Sequence, residues 1–198
     1  MLSTLSLMAC TGHTLDTHYV PIGVGPHQGQ LTVRSWKEIR DEQVVMQGND
    51  YSCGAASLAT LLTYYYNQTV SEADVMQAAD KTVWFSLADL HRVLPQFKMK
   101  GVGLALSFEQ LKNLKVPVII YIEHKGGPHF AVLRQVTDEE VWVADPANGN
   151  NRYPIKHFRR KWEVRDDAVL KGRILLVLPQ DKQQPVTNDF FYPYHATR

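Results

Sequence analysis

The order of apolar patterns along the chain limits its fold more than any other feature. Helical spacing comes first: apolar residues recur every three to four positions after Cys53, and Ser-x-x-Asp patterns at Ser71 and Ser86 predict two further helix starts. β-Branched and aromatic runs separated by short turns come second, and they predict strands over 116–123, 130–136, 141–144 and 173–178. Helices followed by strands predict an α+β fold in which N-terminal helices pack on a C-terminal antiparallel β-sheet.

The composition is that of a globular protein and argues against several classes of partner. The 198 residues suffice for one domain with a buried core, and 44% of them are hydrophobic and 21% charged. Because 21 basic and 20 acidic residues leave a net charge of +1, we expect no nucleic-acid partner. No apolar run approaches the roughly 20 residues of a transmembrane helix, so we expect no membrane span.

The two ends of the chain differ from its middle. We predict a leader-like, irregular N-terminal segment over residues 1–30, a folded domain over 31–178 and a flexible or docking tail over 179–198. The short run LMAC, which ends at Cys10, resembles a bacterial lipoprotein processing site and predicts an exported, periplasmic protein. Cys10 is then either a lipid anchor or an incidental cysteine of the leader.

Cys53 stands at a position that suits a nucleophile. It lies in the stretch QGNDYSCGAA, residues 47–56, at the start of the first predicted helix and directly before Gly54. A thiol attacks as its thiolate, and the unpaired N–H groups and the dipole of a helix N-terminus favour an anion there. Cys53 is therefore the candidate nucleophile.

A cysteine nucleophile needs a base that takes its proton and later protonates the leaving group, and His129 is the best placed of the eight histidines. It follows a glycine turn and opens an apolar strand in GGPHFAVLRQV, where a rigid sheet edge presents its side chain. His124, at the end of the preceding strand, is the close competitor. The others lie in the lead-in, an amphipathic helix, a basic stretch or the tail: His13, His18, His27, His91, His157 and His195.

Two further residues fit supporting roles. Asp145 ends the strand VWVAD, and if this strand forms a hairpin with FAVLRQV, Asp145 and His129 lie at the same end, where the carboxylate orients the imidazole. The alternative interpretation of Asp145 is an ordinary Asp-Pro turn. Gln47 lies in the loop before Cys53, where its amide is placed to donate to the oxyanion of a tetrahedral intermediate.

The sequence predicts no metal and no cofactor. Cys53 with His124 and His129 would offer zinc donors, but the chain has only two cysteines and lacks the ligand spacing of a zinc site. Gly101 and Gly103 lie in a strand-like run and do not open a helix, so they do not form a loop that cradles a phosphate.

In combination these residues resemble the papain-like double-glycine cysteine peptidases. The resemblance rests on the pattern Q-x5-C-G at Gln47 and Cys53, on HFAVL beginning at His129 and on A-D-P-x-x-G around Asp145, and it extends over roughly residues 35–178. It implies a papain-like fold with Gln47 as oxyanion donor, Cys53 as nucleophile, His129 as base and Asp145 as the orienting acid.

The resemblance also implies an activity and its partners. We expect a cysteine endopeptidase that cleaves a peptide or an exported protein. Relatives that mature bacteriocins are fused to a membrane-spanning, ATP-binding exporter, whereas this chain is similar to stand-alone exported members, including those encoded with bacterial functional-amyloid secretion systems, whose components are then candidate partners. Two other functions stay open: another acyl-transfer or amide-hydrolysing enzyme with the same triad, and a non-catalytic module of this fold that binds leader peptides or secretion partners.

Overall fold

The structure is a computed structural model, and it describes residues 18–24, 27–124 and 127–191. The chain divides into two compact units, one up to Ile39 and one from Arg40 onward. Cys10 lies outside the described residues, as do the rest of the predicted leader up to residue 17 and the end of the tail from residue 192. The lipid-anchor and leader interpretations therefore stay predictions.

The first unit contains a β-hairpin where the sequence analysis expected an irregular segment. Strand β1 (His18–Val24) pairs antiparallel with β2 (His27–Val33). The irregular interpretation is wrong for these residues because backbone hydrogen bonds hold a two-stranded ladder, and its edge strands tolerate the proline and glycine of β1 without an alternating apolar pattern. Ser35 then caps the short helix α1 (Trp36–Arg40), its Oγ accepting from the backbone N–H of Glu38 at 3.1 Å.

The helices of the second unit begin close to the predicted positions. The caps predicted at Ser71 and Ser86 are confirmed: their Oγ atoms accept the backbone N–H of Asp74 at 3.2 Å and of Asp89 at 3.1 Å. Ser107 caps a further helix in the same way. None of the helices in the described part of the chain combines the length and apolar character needed to cross a bilayer. The helices are α2 (Cys53–Thr60), α3 (Glu72–Ala79), α4 (Leu87–Val93), α5 (Phe108–Lys112) and α6 (Ile155–Trp162).

Among the described residues from Arg40 onward, six strands form one sheet, which confirms the predicted α+β class. The strands are β3 (Met99–Leu106), β4 (Val118–His124), β5 (Gly127–Val136), β6 (Glu140–Asp145), β7 (Gly149–Pro154) and β8 (Gly172–Pro179). Their spatial order is β3-β8-β4-β5-β6-β7, and each neighbouring pair is antiparallel. The sequence analysis predicted no strand at β7, because the residues GNNRYP have no apolar pattern; they pair with β6 at the sheet edge.

Helices cover both faces of this sheet and place α2 against β5. Along β5 the side chains alternate: Phe130 and Val132 join the apolar cluster around α2, whereas Ala131 and Leu133 join the cluster around α6. Every residue of α2 is buried. The helix that begins with Cys53 is therefore held on all sides by the core.

As far as the structure describes it, the C-terminal segment packs on the rest of the second unit. The backbone N–H of Thr187 donates to the carbonyl of Tyr65 at 2.9 Å. Phe190, in a short 3-10 turn (Asn188–Phe191), is fully buried. This part of the tail is docked on the domain.

Candidate active site

Cys53 occupies the first position of α2, as its place in the sequence predicts. The residue is buried, with 2% of its surface exposed. Ser52 closes the turn before it: its Oγ donates to the carbonyl of Asn49 at 2.8 Å, and its own carbonyl accepts from the N–H of Ala56 at 3.0 Å. The first turn of α2 therefore presents its unpaired N–H groups where the thiol lies, and these groups favour a negative charge.

Gly54 allows the start of α2 to lie against Phe85. A Cβ atom at this position would lie 2.8 Å from the Phe85 Cβ and 3.3 Å from the ring of Phe130. The first distance is shorter than real Cβ contacts, so no larger residue fits without movement. The glycine next to Cys53 is thus required by close packing.

The structure brings Cys53, His129 and Asp145 together. The Nε2 atom of His129 lies 2.9 Å from Oδ1 of Asp145, in agreement with the predicted hairpin. Cys53 also interacts with the His129 side chain and helps to raise its pKa, and since Nε2 faces Asp145, Nδ1 is the ring nitrogen left for the sulfur. His129 is 7% exposed and Asp145 is fully buried, so these contacts are shielded from water.

These contacts shift the pKa values of the histidine and the aspartate. Burial alone would lower the pKa of His129, but hydrogen bonds and charge interactions with Asp145 and Cys53 outweigh burial and raise the pKa to about 9. Burial would raise the pKa of Asp145, but its interactions with His129, Ala147 and Asn148 lower it. The site therefore favours an imidazolium beside a carboxylate at neutral pH.

Several donors hold the carboxylate of Asp145. Besides His129, Oδ1 accepts from the backbone N–H groups of Ala147 at 2.8 Å and Asn148 at 3.2 Å, and Oδ2 accepts from Nδ2 of Asn148 at 3.1 Å. The Asp-Pro turn considered as the alternative interpretation is thus present, and the same aspartate also contacts His129. The turn fixes the carboxylate in the orientation that this contact requires.

Gln47 lies in the neighbouring loop and is tied to the same turn, but among the described residues it makes no hydrogen bond to the other three candidates. Its backbone N–H donates to the carbonyl of Pro146 at 2.9 Å, and its Nε2 donates to the carbonyl of Asn49 at 2.9 Å. A glutamine amide has two N–H donors, so this contact uses one of them. The backbone N–H of Gly48 lies 3.1 Å from both carboxylate oxygens of Glu72, which anchors the loop to α3.

Two further side chains border this site: His124, which the sequence analysis considered, and Tyr153, which it missed. The ring of His124, the competitor for the base, lies 5.6 Å from the ring of His129, and its Nδ1 lies 3.3 Å from Nζ of Lys161. Burial and the charge of Asp145 raise the pKa of Tyr153 to about 12. The signal available in the sequence was the short spacing of the two histidines, and the antiparallel pairing of β4 with β5 places both at one end of these strands. No group of three or more His, Cys, Asp or Glu side chains within the described ranges is arranged to hold a metal ion.

Comparison with known proteins places the chain in a family. The chain matches the model of the peptidase C39 family over residues 41–165. It is 36% identical over 161 residues to a Pseudomonas aeruginosa protein named probable functional amyloid protease FapD, and the match covers 75% of this chain and 71% of the relative.

Two solved structures share the fold, and they confirm the predicted papain-like class. A double glycine motif protease from an AMS/PCAT transporter, in complex with the leader peptide, has a TM-score of 0.57 and 27% identity, and the match covers 69% of this chain and 90% of that one. The peptidase domain of Streptococcus ComA, a bifunctional ABC transporter, has a TM-score of 0.61 and 17% identity over 70% of this chain and 99% of that one. Since the family model spans well over half of the chain and FapD is similar over most of it, the chain belongs to the peptidase C39 family and is a cysteine peptidase.

Proposed function

We propose that Cys53, His129, Asp145 and Gln47 are the catalytic residues of this peptidase and that it acts as an endopeptidase. The observation that carries the proposal is the position of His129, whose Nε2 lies 2.9 Å from the Asp145 carboxylate and whose pKa is raised by Cys53 as well as by Asp145. Acyl transfer by a thiol requires this relation between nucleophile, base and orienting acid.

The proposed reaction has two halves. In the reactive pair His129 holds the proton of Cys53 as the imidazolium, the thiolate sulfur attacks the carbonyl carbon of the scissile bond, and the electron pair of the C=O π bond moves to the oxygen. When this tetrahedral oxyanion collapses, the C–N bond breaks, and His129 gives its proton to the leaving amine. A thioester on Cys53 remains. In the second half the neutral His129 takes a proton from water, whose oxygen attacks the thioester. The C–S bond then breaks, the carboxyl product leaves, and the pair of thiolate and imidazolium is restored.

Asp145 acts through His129 in both halves. Its carboxylate is buried and fixed by the turn that follows it, so it keeps Nε2 of His129 occupied and directs Nδ1 to the sulfur. Its negative charge also stabilises the imidazolium that forms each time a proton is taken. The raised pKa of His129, about 9, supports this role.

Gln47 supplies a donor to the oxyanion, together with the backbone N–H of Cys53 at the start of α2. Its loop is held by Pro146 on one side and by Glu72 on the other, so the amide is positioned before the substrate arrives. One N–H of the amide is bonded to Asn49. The second N–H is the proposed donor.

The proposed substrate is an exported bacterial protein or its leader peptide, cut in the periplasm. FapD is named as a probable functional amyloid protease, and the solved double glycine protease was crystallised with a leader peptide. These relatives support a peptide segment of an exported protein as substrate and the components of a secretion system as partners. Export through the leader, with Cys10 as lipid anchor, would bring the enzyme to that compartment.

N-terminal labelling and mass spectrometry test this proposal. Purified parent protein, Cys53→Ala and Cys10→Ala are each incubated with the exported protein fraction of a strain that lacks the peptidase gene. We expect the parent and Cys10→Ala to create the same new N-termini and Cys53→Ala to create none, because only Cys53 is the nucleophile. New N-termini with Cys53→Ala would refute the assignment. Peptide binding without cleavage by the parent would favour the non-catalytic module.

A further inference from the structure

A β-bulge divides the pairing of β5 with β6 into two registers that differ by one residue. At the bulge β5 has one residue more than β6, and this extra residue, which has no partner position in β6, is Arg134. The paired residues before the bulge are Val132 with Ala144 and Leu133 with Val143, and those after it are Gln135 with Trp142 and Val136 with Val141.

The bulge decides whether His129 and Asp145 face each other. His129 is three positions before Val132 and Asp145 is one position after Ala144. Side chains alternate between the two faces along a strand, and the paired residues Val132 and Ala144 share one face. Because each position is an odd number of residues from this pair, His129 and Asp145 both lie on the other face. If the register beyond the bulge continued unchanged, Asp145 would pair with Val132 and its side chain would lie on the opposite face from His129.

The guanidinium of Arg134 is buried and bonded on both of its terminal nitrogens. The residue is 2% exposed. Nη1 donates to the carbonyl of Phe190 at 2.6 Å and to Oε1 of Gln43 at 3.2 Å, and Nη2 donates to the carbonyls of Glu42 at 3.1 Å and Gln43 at 2.9 Å. The guanidinium also lies 4.1 Å from the centre of the Phe190 ring. A buried charge is tolerated only with such bonds, so loss of these contacts would destabilise the folded state.

The partners of Arg134 come from two other parts of the chain. Glu42 and Gln43 belong to the segment that leads to Gln47 and Cys53, and Gln43 has a positive φ of 53° that turns the chain there. Phe190 belongs to the docked C-terminal segment, beyond the 41–165 match to the family model. The Arg134 side chain thus connects the bulge to residues 42–43, which precede the nucleophile in the chain, and to the C-terminal segment.

We propose that Arg134 is a positioning residue of the peptidase: by clamping residues 42–43 and Phe190 to the bulge, it maintains the register that puts His129 and Asp145 on one face. The inference rests on the proposed roles of Cys53, His129 and Asp145. It makes the C-terminal segment part of the support of the catalytic site.

The test combines substitutions with two readouts, the NMR titration of the His129 ring and kcat/KM for peptide cleavage. The ring signals are assigned by comparison with His129→Gln. Arg134→Met removes the charge and its bonds, Arg134→Lys keeps the charge but not the planar fork, and Arg152→Met is the control. Arg152 is an exposed arginine of the same sheet that stacks on Trp142, 4.3 Å from the ring centre.

We expect Arg134→Met to move the His129 titration midpoint downward and to lower kcat/KM on the order of 10²-fold, because the imidazole loses its partner geometry. Arg134→Lys should restore part of both, and Arg152→Met should change neither. A folded Arg134→Met protein that has a lower melting temperature, but the parent midpoint and kcat/KM, would overturn the inference, since a purely structural role predicts that result.

A second variant covers the case in which Arg134→Met does not fold. Phe190→Leu removes the ring that stacks on the guanidinium and keeps the carbonyl acceptor, so it should shift the midpoint in the same direction by a smaller amount. An unchanged midpoint and kcat/KM in folded Phe190→Leu would then overturn the inference. Failure of the proposed function looks different: in that case Cys53→Ala would leave the His129 titration of the parent unchanged.

Discussion

His129 is the residue through which folding and the proposed chemistry are coupled. It is almost fully buried, yet the Asp145 carboxylate and the Cys53 thiol hold its pKa at about 9. The charged form of the ring is therefore part of the folded state at neutral pH. An unfolded chain offers neither partner, so its histidines titrate near the ordinary value of about 6.5.

We expect the free energy of unfolding to fall as the pH rises from about 6.5 to about 9. In this window the folded protein binds a proton on His129 that the unfolded chain has lost, because the folded pKa of about 9 is the higher one. The stabilisation is complete below the unfolded pKa and is lost as the pH passes the folded pKa. Urea denaturation across this range, compared with His129→Gln, measures this loss, and the contribution is on the order of 3 kcal/mol. An identical pH slope in His129→Gln would contradict the expectation.

Gln47 and Asp145 should be distinguishable by their effects on two reactions of Cys53. We expect Gln47→Ala to lower peptide turnover by roughly 10²–10³-fold, the usual effect of losing one oxyanion donor, and to leave alkylation by iodoacetamide unchanged, since no oxyanion forms there. Asp145→Ala should lower turnover strongly and retain some alkylation, because His129 is still present but free to rotate.

The control for Gln47→Ala is Gln77→Ala, an exposed glutamine of α3, which should change neither rate. A parallel fall of turnover and alkylation in Gln47→Ala would mean that Gln47 shapes the loop and does not bind the oxyanion.

At the scale of elements, the sequence predicts those helices and strands that a cap or an apolar pattern within the segment defines. The serine caps at Ser71 and Ser86 and the apolar strands β4, β5 and β6 were predicted. The predicted hairpin of β5 with β6 also led to the contact between His129 and Asp145. The polar strand β7 and the hairpin β1–β2 were missed because backbone pairing, which leaves no apolar pattern, defines them. The bulge at Arg134 was not predictable either, since its partners lie far away in the sequence.

The packing of α2 on the segment before α4 gives a prediction at this scale. Gly54→Ala places a Cβ 2.8 Å from the Phe85 Cβ, so we expect a loss of about 1–3 kcal/mol in the free energy of unfolding, typical of overpacking. Cleavage should also slow, because Cys53 is the adjacent residue. Gly103→Ala is the matched control, since a Cβ there meets nothing within 4 Å. Equal stability of the two variants in urea denaturation would show that Phe85 yields without cost.

At the scale of the whole molecule, the site depends on distant parts of the chain meeting at one edge of the sheet. A helix start carries Cys53, and two neighbouring strands carry His129 and Asp145. The core on both faces of the sheet packs against these elements, and the C-terminal segment accepts a hydrogen bond from Arg134 at the Phe190 carbonyl. The residues of the proposed site were chosen from the sequence, whereas the contacts between them arise only from the tertiary fold.

The central claim is that Cys53 and His129 act as one catalytic unit, and a double-mutant cycle on kcat for peptide cleavage tests it most directly. If they form a unit, Cys53→Ala and His129→Ala should each lower kcat by on the order of 10⁴-fold or more, and the double variant should lose no more than either single variant, because removal of one member already disables the other. Losses that multiply in the double variant, or a kcat that survives either single substitution, would contradict the account.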